Sequence, residues 1–294
     1  MATDQTQFTG VYPAMPTPFD RDGSIDYDRV RQHIEFLEDA GVDGVVPAGS
    51  TGESATLSHD EHIDLIEFVT AETDLPVIAG TGSNATHEAI SLSRRAADLG
   101  VEGLLLVSPY YNLPEPEGLR RHFEAVADEV DVPQIIYNVP GRTGMSIPAK
   151  TAGELAKHEN IVGYKAASTD LEHISEVIER TQSETFSVLS GDDPVTLPII
   201  SIGGTGVISV AGNVIPGQVC ELVDAALDDR YDRAQELHHE LGPLFRMIFA
   251  ETNPIPIKEA MAIRGMGEAR FRLPLTNAAP EVRERLEQVL ADLE

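Results

Sequence analysis

The stretch NIVGYKAAS, residues 160–168, joins an apolar run to a lysine followed by small residues. Its first six residues have the composition of a strand that is covered on both faces, as in a parallel sheet. A lysine at the end of such a strand is desolvated, and desolvation opposes its charge. Only four of the 21 basic residues are lysines, so the position of Lys165 requires an explanation.

Seven further apolar runs of similar length occur along the chain, and amphipathic segments with helical spacing lie between them. The runs are residues 11–18, 44–49, 75–80, 102–109, 132–138, 186–191 and 205–210. Polar or small residues recur just past successive runs, about 26 to 30 residues apart, which is near the length of one strand–helix–strand unit. They are Ser50-Thr51, Thr81, Tyr110-Tyr111, Tyr137, Lys165 and Gly191.

Eight such units predict an α/β fold, a (β/α)8 TIM barrel, whose strand ends all meet on one face, where that fold carries its chemistry. A doubly wound open sheet shows the same alternation and is the alternative. Residues 218–294 contain helical patterns and no strand pattern. We therefore expect residues 1–217 to form the barrel, and residues 218–294 to form its last helix and a C-terminal helical extension.

The charge balance is strongly acidic, with 49 Asp and Glu against 21 Lys and Arg and a formal net charge of −28. Such a surface disfavours nucleic acid and anionic membranes as partners. It suits a medium rich in screening cations, which suggests a halophilic protein. A merely acidic protein is the simpler interpretation and stays open.

Cysteine usage and hydropathy bear on the compartment. Cys220 is the only cysteine, so the chain has no internal disulfide and no cysteine-rich metal site. Residues 1–10 lack a basic segment followed by an apolar run, and no apolar stretch approaches about 18 residues. We expect a cytoplasmic protein.

The position of Lys165 at the end of a predicted strand allows two interpretations. An isolated lysine at a strand end usually turns its ammonium to water or to a carboxylate. At a barrel mouth, partial desolvation instead lowers the pKa of the amine, so the neutral form can attack a ketone and form a Schiff base. This imine needs neither a metal nor an added cofactor, and none is expected.

Three other motifs supply complementary chemistry. Tyr137 precedes Lys165 by one unit and can transfer protons, although a buried core tyrosine is the ordinary interpretation. Ser50 and Thr51 lie in a glycine-containing turn whose hydroxyl and N–H groups can hold a carboxylate. Arg142 offers a bidentate site for a second carboxylate, although lone surface arginines are common.

Together these motifs resemble the dihydrodipicolinate synthase (4-hydroxy-tetrahydrodipicolinate synthase) family, in order and over nearly the whole chain. The resemblance rests on GSTGESATL (49–57), SPYYN (108–112), YNVPGRTG (137–144), GYKAAS (163–168), SGDD (190–193), GVISV (206–210) and NPIPIK (253–258). It implies a homotetrameric TIM barrel that condenses pyruvate with aspartate semialdehyde in the diaminopimelate route to lysine.

The resemblance also implies a role for each matching residue. Lys165 would form the Schiff base with pyruvate and Tyr137 would relay protons. A hydroxyl at position 50 or 51 would link Tyr137 to Tyr111, which reaches in from a neighbouring subunit in the family. Thr51 would hold the pyruvate carboxylate and Arg142 that of the second substrate, while Gly191 and Ile208 would line the pocket. Ser50 departs from the threonine of many members but keeps the hydroxyl.

Two other functions stay open. N-acetylneuraminate lyase and 2-keto-3-deoxygluconate aldolase belong to the same superfamily and resemble the chain in the lysine, the tyrosine and the GSTGE-like loop. A catalytically silent homologue that binds a keto acid is the non-enzyme alternative. Arg142 and the ESATL segment (53–57) resemble the synthase branch.

A further set of residues bears on regulation. The family positions that bind lysine as a feedback inhibitor match Ser54, Ala55, His59, His62, Asn84, Glu88 and Tyr110. We expect lysine inhibition from this match. His59 and His62 lack the spacing and the third ligand of a metal site, and two solvated histidines at a helix start are the ordinary interpretation.

Overall fold

The computed structural model describes residues 8–293, and within them seven strands form one parallel sheet. The strands are β1 (Gly10–Val11), β2 (Ile78–Gly80), β3 (Gly103–Val107), β4 (Gln134–Asn138), β5 (Ile161–Ala166), β6 (Ser187–Ser190) and β7 (Gly206–Val207). Their order is β1-β7-β6-β5-β4-β3-β2. Residues 1–7 lie outside the described residues, and with them most of the N-terminal segment 1–10 on which the expectation of a cytoplasmic protein partly rests.

The gap between β1 and β2 is closed by the predicted strand at 44–49. Val46 bridges in parallel to Ala14, just past β1, and Val45 bridges to Val77, just before β2. These bridges join the two edges of the sheet, so it closes into a barrel with eight strand segments. The predicted TIM barrel is confirmed, and the open-sheet alternative is wrong.

Helices follow the eight strand segments. Most of them cover the outside of the barrel, whereas the four-residue helix at 140–143 lies at its mouth. They are α1 (Tyr27–Asp39), α2 (His59–Glu72), α3 (Thr86–Asp98), α4 (Pro116–Ala127), α5 (Pro140–Thr143), α6 (Ala149–Leu155), α7 (Leu171–Thr181), α8 (Thr196–Ser201) and α9 (Pro216–Leu227). Their starts follow local sequence signals. For example, Ser58 and Glu61 form a reciprocal capping box at the start of α2.

The barrel core has two layers because side chains alternate along each strand. An inner cluster inside the barrel includes Val46, Ile78, Leu105, Ile135 and Leu189. An outer cluster fills the space between strands and helices. Parallel strands that are buried on both faces explain why the predicted strands read as continuous apolar runs.

Three further helices complete the chain: α10 (Tyr231–Met247), α11 (Ile255–Ile263) and α12 (Pro280–Ala291). They share one apolar cluster with β1, β7, α8 and α9, so the extension packs on the last units of the barrel. Between α9 and α10 the chain turns at Asp229, whose φ of 59° is left-handed. The proposed division at residue 217 stays a prediction. No helix among residues 8–293 has the length and apolar character needed to span a bilayer.

Candidate active site

The site is built around Lys165, which lies beside Tyr137 at the carboxyl ends of two neighbouring strands. The two residues are register partners between β4 and β5. The Nζ atom of Lys165 lies 4.3 Å from the centre of the Tyr137 ring. Both side chains are buried. Tyr137 and Lys165, which are one strand–helix unit apart in the sequence, are therefore in direct contact.

Burial changes the acid–base chemistry of both residues. Loss of hydration lowers the pKa of Lys165 to about 8, against the opposing charges of Asp192 and Asp193, while Arg142 lowers it further. Burial raises the pKa of Tyr137 to about 12, and a hydrogen bond with Ser50 and the charge of Arg142 oppose that shift. The amine is thus available in neutral form near neutral pH, while the phenol keeps its proton.

An open cavity of about 450 Å³ extends from these two side chains. Its lining comes from the ends of several strands and from the segment before α11. The lining residues are Thr51, Tyr137, Val139, Gly141, Arg142, Lys165, Ala167, Gly191, Asp192, Val210, Phe249, Glu251, Thr252 and Asn253. Five predicted site residues, Lys165, Tyr137, Thr51, Arg142 and Gly191, therefore converge on one cavity.

Gly191 leaves space for the lysine side chain. A Cβ atom at this position would lie 2.9 Å from Cε of Lys165 and 2.9 Å from Cβ of Ala167. Such distances are too short for carbon atoms in contact, so any larger residue would displace the lysine. Ile208 is fully buried in the barrel interior and is not among the lining residues of the cavity.

Asn253 connects the two residues that were predicted to bind carboxylates. Its side-chain amide donates to the Thr51 hydroxyl at 2.9 Å. Its backbone carbonyl oxygen accepts a hydrogen bond from the Arg142 guanidinium at 2.6 Å. Asn253 is the first residue of the NPIPIK motif, but the motif by itself predicts no role for it. Its 202-position separation from Thr51 hides this contact from any local pattern.

A buried ion pair supports the loop that carries Thr51. The ammonium of Lys258 donates to Glu53 at 2.6 Å and to the carbonyl oxygen of Thr17 at 2.9 Å. It also lies over the rings of Phe19 and Phe271. Glu53 has a left-handed φ of 54°, a conformation that costs energy in a non-glycine residue. The pair links the loop after the second strand segment to α11, and sequence reasoning missed it.

Two aspartates of the SGDD motif follow β6, and the sequence predicted no role for either. Asp193 is buried, whereas Asp192 is partly exposed and lines the cavity. Burial raises the pKa of Asp192 to about 6, although the positive charge of Lys165 opposes the shift. A carboxylate therefore stands within the electrostatic reach of the lysine.

The tyrosines after β3 lie on the surface of the chain. Tyr111 is 87% exposed and has a left-handed φ of 70°, and Tyr110 is 41% exposed. Neither lines the cavity of this chain. A left-handed conformation is costly in a non-glycine residue, and residues held in such conformations cluster at functional sites.

The seven residues of the predicted lysine site lie in loops and helix starts that follow three neighbouring strand segments, at 54–62, 84–88 and 110. Ala55, His59 and Asn84 are exposed, and the carboxylate of Glu88 accepts a hydrogen bond from Ser83 at 2.8 Å. The interpretation of both histidines as solvated is wrong for His62. That ring is buried and lies 2.6 Å from the carbonyl oxygen of Gly80, because α2 turns this face towards β2. Burial lowers its pKa.

No group of three or more His, Cys, Asp or Glu residues within 8–293 is arranged to hold a metal ion. The fold and the site define a class: TIM barrels in which a desolvated lysine and a tyrosine meet at neighbouring strand ends.

Comparison with known proteins identifies the family. Residues 7–293 match the Dihydrodipicolinate synthetase family, and the chain belongs to it. The 4-hydroxy-tetrahydrodipicolinate synthase of Natronomonas pharaonis is 62% identical over 98% of both chains. That of Haloarcula marismortui is 60% identical over 98% of this chain and 94% of its own. The crystal structure of dihydrodipicolinate synthase from Aquifex aeolicus covers 97% of each chain, with 48% identity and a TM-score of 0.94.

Two further solved relatives carry ligands. The Acinetobacter baumannii enzyme, complexed with pyruvate, is 39% identical, with a TM-score of 0.94 over 97% of this chain and 98% of its own. The Cyanidioschyzon merolae enzyme, with lysine bound, is 38% identical, with a TM-score of 0.94 over the same shares.

Proposed function

We propose that this protein is a 4-hydroxy-tetrahydrodipicolinate synthase, a lyase that condenses pyruvate with L-aspartate 4-semialdehyde in the diaminopimelate route to lysine. The observation that carries the proposal is the buried Lys165, with its lowered pKa, against Tyr137 in a cavity that also presents Thr51 and Arg142. Relatives of this name match nearly the full length of the chain.

The first half of the proposed reaction activates pyruvate. The neutral amine of Lys165 attacks the ketone carbon of pyruvate, and Tyr137 protonates the departing oxygen, so that water leaves and a protonated imine forms. Thr51, held by Asn253, binds the pyruvate carboxylate. Loss of a methyl proton then gives an enamine, since the imine withdraws the electron pair. No external cofactor takes part.

The second half joins the two substrates. The enamine carbon attacks the aldehyde carbon of the second substrate, and its oxygen takes up a proton. The amino group of that substrate then attacks the imine carbon, and the bond from this carbon to Nζ of Lys165 breaks. Arg142, held by the Asn253 carbonyl, orients the carboxylate of the second substrate. Gly191 keeps the space around Lys165 open, and Ile208 belongs to the proposed pocket wall behind the cavity.

Borohydride trapping tests the mechanism. Incubation with pyruvate followed by reduction should add the mass of the reduced pyruvyl group to the peptide that contains Lys165. The Lys165→Ala variant should show no adduct, and an adduct that persists in it would reject the mechanism. Turnover with aspartate semialdehyde, compared with 2-keto-3-deoxy sugar acids and N-acetylneuraminate, then separates a synthase from an aldolase or lyase. An adduct without turnover of any of them would point to the silent homologue.

The proposal includes a homotetramer in which Tyr111 of one protomer, linked through the hydroxyl of Ser50 or Thr51, completes the proton relay of another. Its support is the exposure and left-handed backbone of Tyr111. Sedimentation at the working salt concentration measures the assembly. Tyr111→Phe should lower kcat without changing the assembly, and an unchanged kcat would reject the relay.

Lysine is the proposed feedback inhibitor, with a site made by the seven residues Ser54, Ala55, His59, His62, Asn84, Glu88 and Tyr110. Its support is the residue match and the lysine-bound relative. Activity that is indifferent to lysine at about millimolar concentration and working salt would reject it. A cytoplasmic location stays a prediction.

A further inference from the structure

The two aspartates after β6 differ in their hydrogen bonding. The carboxylate of Asp193 accepts hydrogen bonds from the Ser209 hydroxyl at 2.5 Å and from the N–H groups of Val210 and Ala211 at 3.0 and 3.2 Å. It therefore fastens the end of β6 to the loop after β7. The Asp192 carboxylate has no hydrogen bond and no ion pair with any residue in 8–293, although it lines the cavity. Asp193 is therefore structural, whereas the oxygen atoms of the Asp192 carboxylate keep their capacity to accept hydrogen bonds.

The unpaired carboxylate faces a site that must take a charged substrate. On the proposed function, the second substrate carries an α-carboxylate and an α-ammonium on the same carbon atom. Arg142 binds the carboxylate of this second substrate, and Thr51 binds the carboxylate of pyruvate. None of the residues with an assigned role binds the ammonium. A desolvated ammonium without an anionic partner is costly. Asp192 is the anion with free acceptor capacity.

Arg142 and Asp192 carry opposite charges on the two sides of Lys165. Arg142 follows β4 and Asp192 follows β6, so they flank β5, which carries Lys165. The two charges interact electrostatically across the cavity. An ammonium held by Asp192 would lie on the Lys165 side of the bound substrate. Transfer of one of its protons to the Asp192 carboxylate would leave the neutral amine, which is the form that attacks the imine carbon.

The other acceptors of the cavity fit the ammonium less well. The carboxylate of Glu251 already accepts a hydrogen bond from the N–H of Ala279 at 3.1 Å, which ties it to the segment before α12. The Oδ1 atom of Asn253 is buried and accepts no hydrogen bond within the described residues, but it is neutral. Asp192 alone combines a full charge with a free carboxylate.

We propose that Asp192 binds the α-ammonium group of the second substrate and so selects an amino-acid aldehyde over aldehydes that lack the amine. The inference rests on the proposed function and adds a specificity-determining residue to it.

The test compares Asp192→Asn with the wild type on two aldehydes. The variant keeps the size of the side chain and removes its charge. We expect the KM for aspartate semialdehyde to rise about 10- to 100-fold, the effect of losing a hydrogen bond to a charged group. Succinic semialdehyde has hydrogen in place of the amine and serves as a competing aldehyde. Its inhibition constant should not increase in the variant, because it has no ammonium for Asp192 to bind. Trapping of pyruvate at Lys165 should be retained.

Glu251→Gln is the matched control, because it removes a carboxylate from the same cavity. It should leave the KM for aspartate semialdehyde within about threefold. Asp192→Ser provides a second variant, and thermal unfolding checks that each one is folded.

Three outcomes would overturn the assignment in an active enzyme. They are an unchanged KM in Asp192→Asn, an equal loss of affinity for both aldehydes, and a loss of pyruvate trapping, which would make Asp192 the counter-ion of Lys165. A wild type that traps pyruvate and does not turn over aspartate semialdehyde refutes the proposed function itself, so the two failures are distinguishable.

Discussion

The ammonium nitrogen of Lys165 lies 4.3 Å from the centre of the Tyr137 ring, on the neighbouring strand of the barrel. The ring covers the amine and removes water from it, while the electron-rich face of the ring attracts the charged form. Desolvation prevails, since the pKa of Lys165 is lowered to about 8. The same side chain therefore lowers the pKa of the lysine, and in the proposed mechanism it protonates the oxygen of the ketone whose carbon the lysine attacks.

The lowered pKa predicts the pH dependence of imine formation. Only the neutral amine reacts, so the rate of pyruvate trapping should rise about tenfold per pH unit below the pKa and level off above about pH 9. The midpoint should lie near 8. Rapid-quench trapping over a pH series measures it. Lys165→Arg should fold and form no imine, because guanidinium stays protonated. A rate that keeps rising through pH 10 would contradict the lowered pKa.

Removing the Tyr137 hydroxyl should impair proton transfer. Tyr137→Phe keeps the ring over Lys165, and we expect kcat to fall about 10²- to 10⁴-fold, the usual contribution of a positioned acid or base. Tyr164→Phe is the control, because Tyr164 precedes Lys165 on β5 and packs in the outer cluster. Its kcat should change by less than about threefold. Steady-state kinetics measure both variants, and equal effects would argue against a specific role of Tyr137.

Gly191→Ala tests the space around the lysine. The added methyl would lie 2.9 Å from Cε of Lys165, so we expect the amine to be displaced and kcat to fall about 10- to 100-fold. Gly217→Ala is the control, since a Cβ atom there would have no neighbour within 4 Å. If the Gly191 variant kept full activity, the close approach would have no catalytic consequence.

The buried pair of Lys258 and Glu53 should be costly to break. Lys258→Met leaves the Glu53 carboxylate buried without its partner, and the expected loss of unfolding free energy is about 3 to 5 kcal/mol. The double variant Lys258→Met with Glu53→Gln should lose less, because no charge is left unpaired. Denaturant unfolding measures each variant.

The control for this pair is the exposed one between Lys150 and Glu154, whose nitrogen and oxygen lie 3.8 Å apart. Lys150→Met should change the stability by less than about 0.5 kcal/mol. If Lys150→Met and Lys258→Met lost similar amounts of unfolding free energy, burial would not explain the importance of the Lys258–Glu53 pair.

The net charge of −28 predicts a salt requirement. Mutual repulsion of surface carboxylates is screened as the Debye length falls from about 10 Å at 0.1 M salt to about 3 Å at 1 M. We expect Tm to rise with KCl across this range. Sucrose is the control, since it stabilises by exclusion without screening charge. A Tm that does not respond to KCl would favour the merely acidic interpretation.

Much of the fold was predictable because a TIM barrel repeats a local unit. The apolar runs and their intervals identified the eight strand segments, and the segment with helical spacing between the runs at 44–49 and 75–80 contains α2. Lys165 and Tyr137 were identifiable for the same reason, since their offset of one unit puts them on adjacent strand ends. The burial of His62 was not predictable from the sequence, because it depends on how α2 packs against β2.

The sequence by itself determined the barrel, the acidic surface and the lysine–tyrosine pair, since each depends on periodicity or composition. Tertiary structure decided which distant residues complete the site. Asn253 meets Thr51 across 202 positions, and Lys258 meets Glu53 across 205. The difference between Asp192 and Asp193 likewise depends on donors from the loop after β7. Such contacts arise where the path of the backbone returns to the barrel mouth, and no local pattern encodes that path.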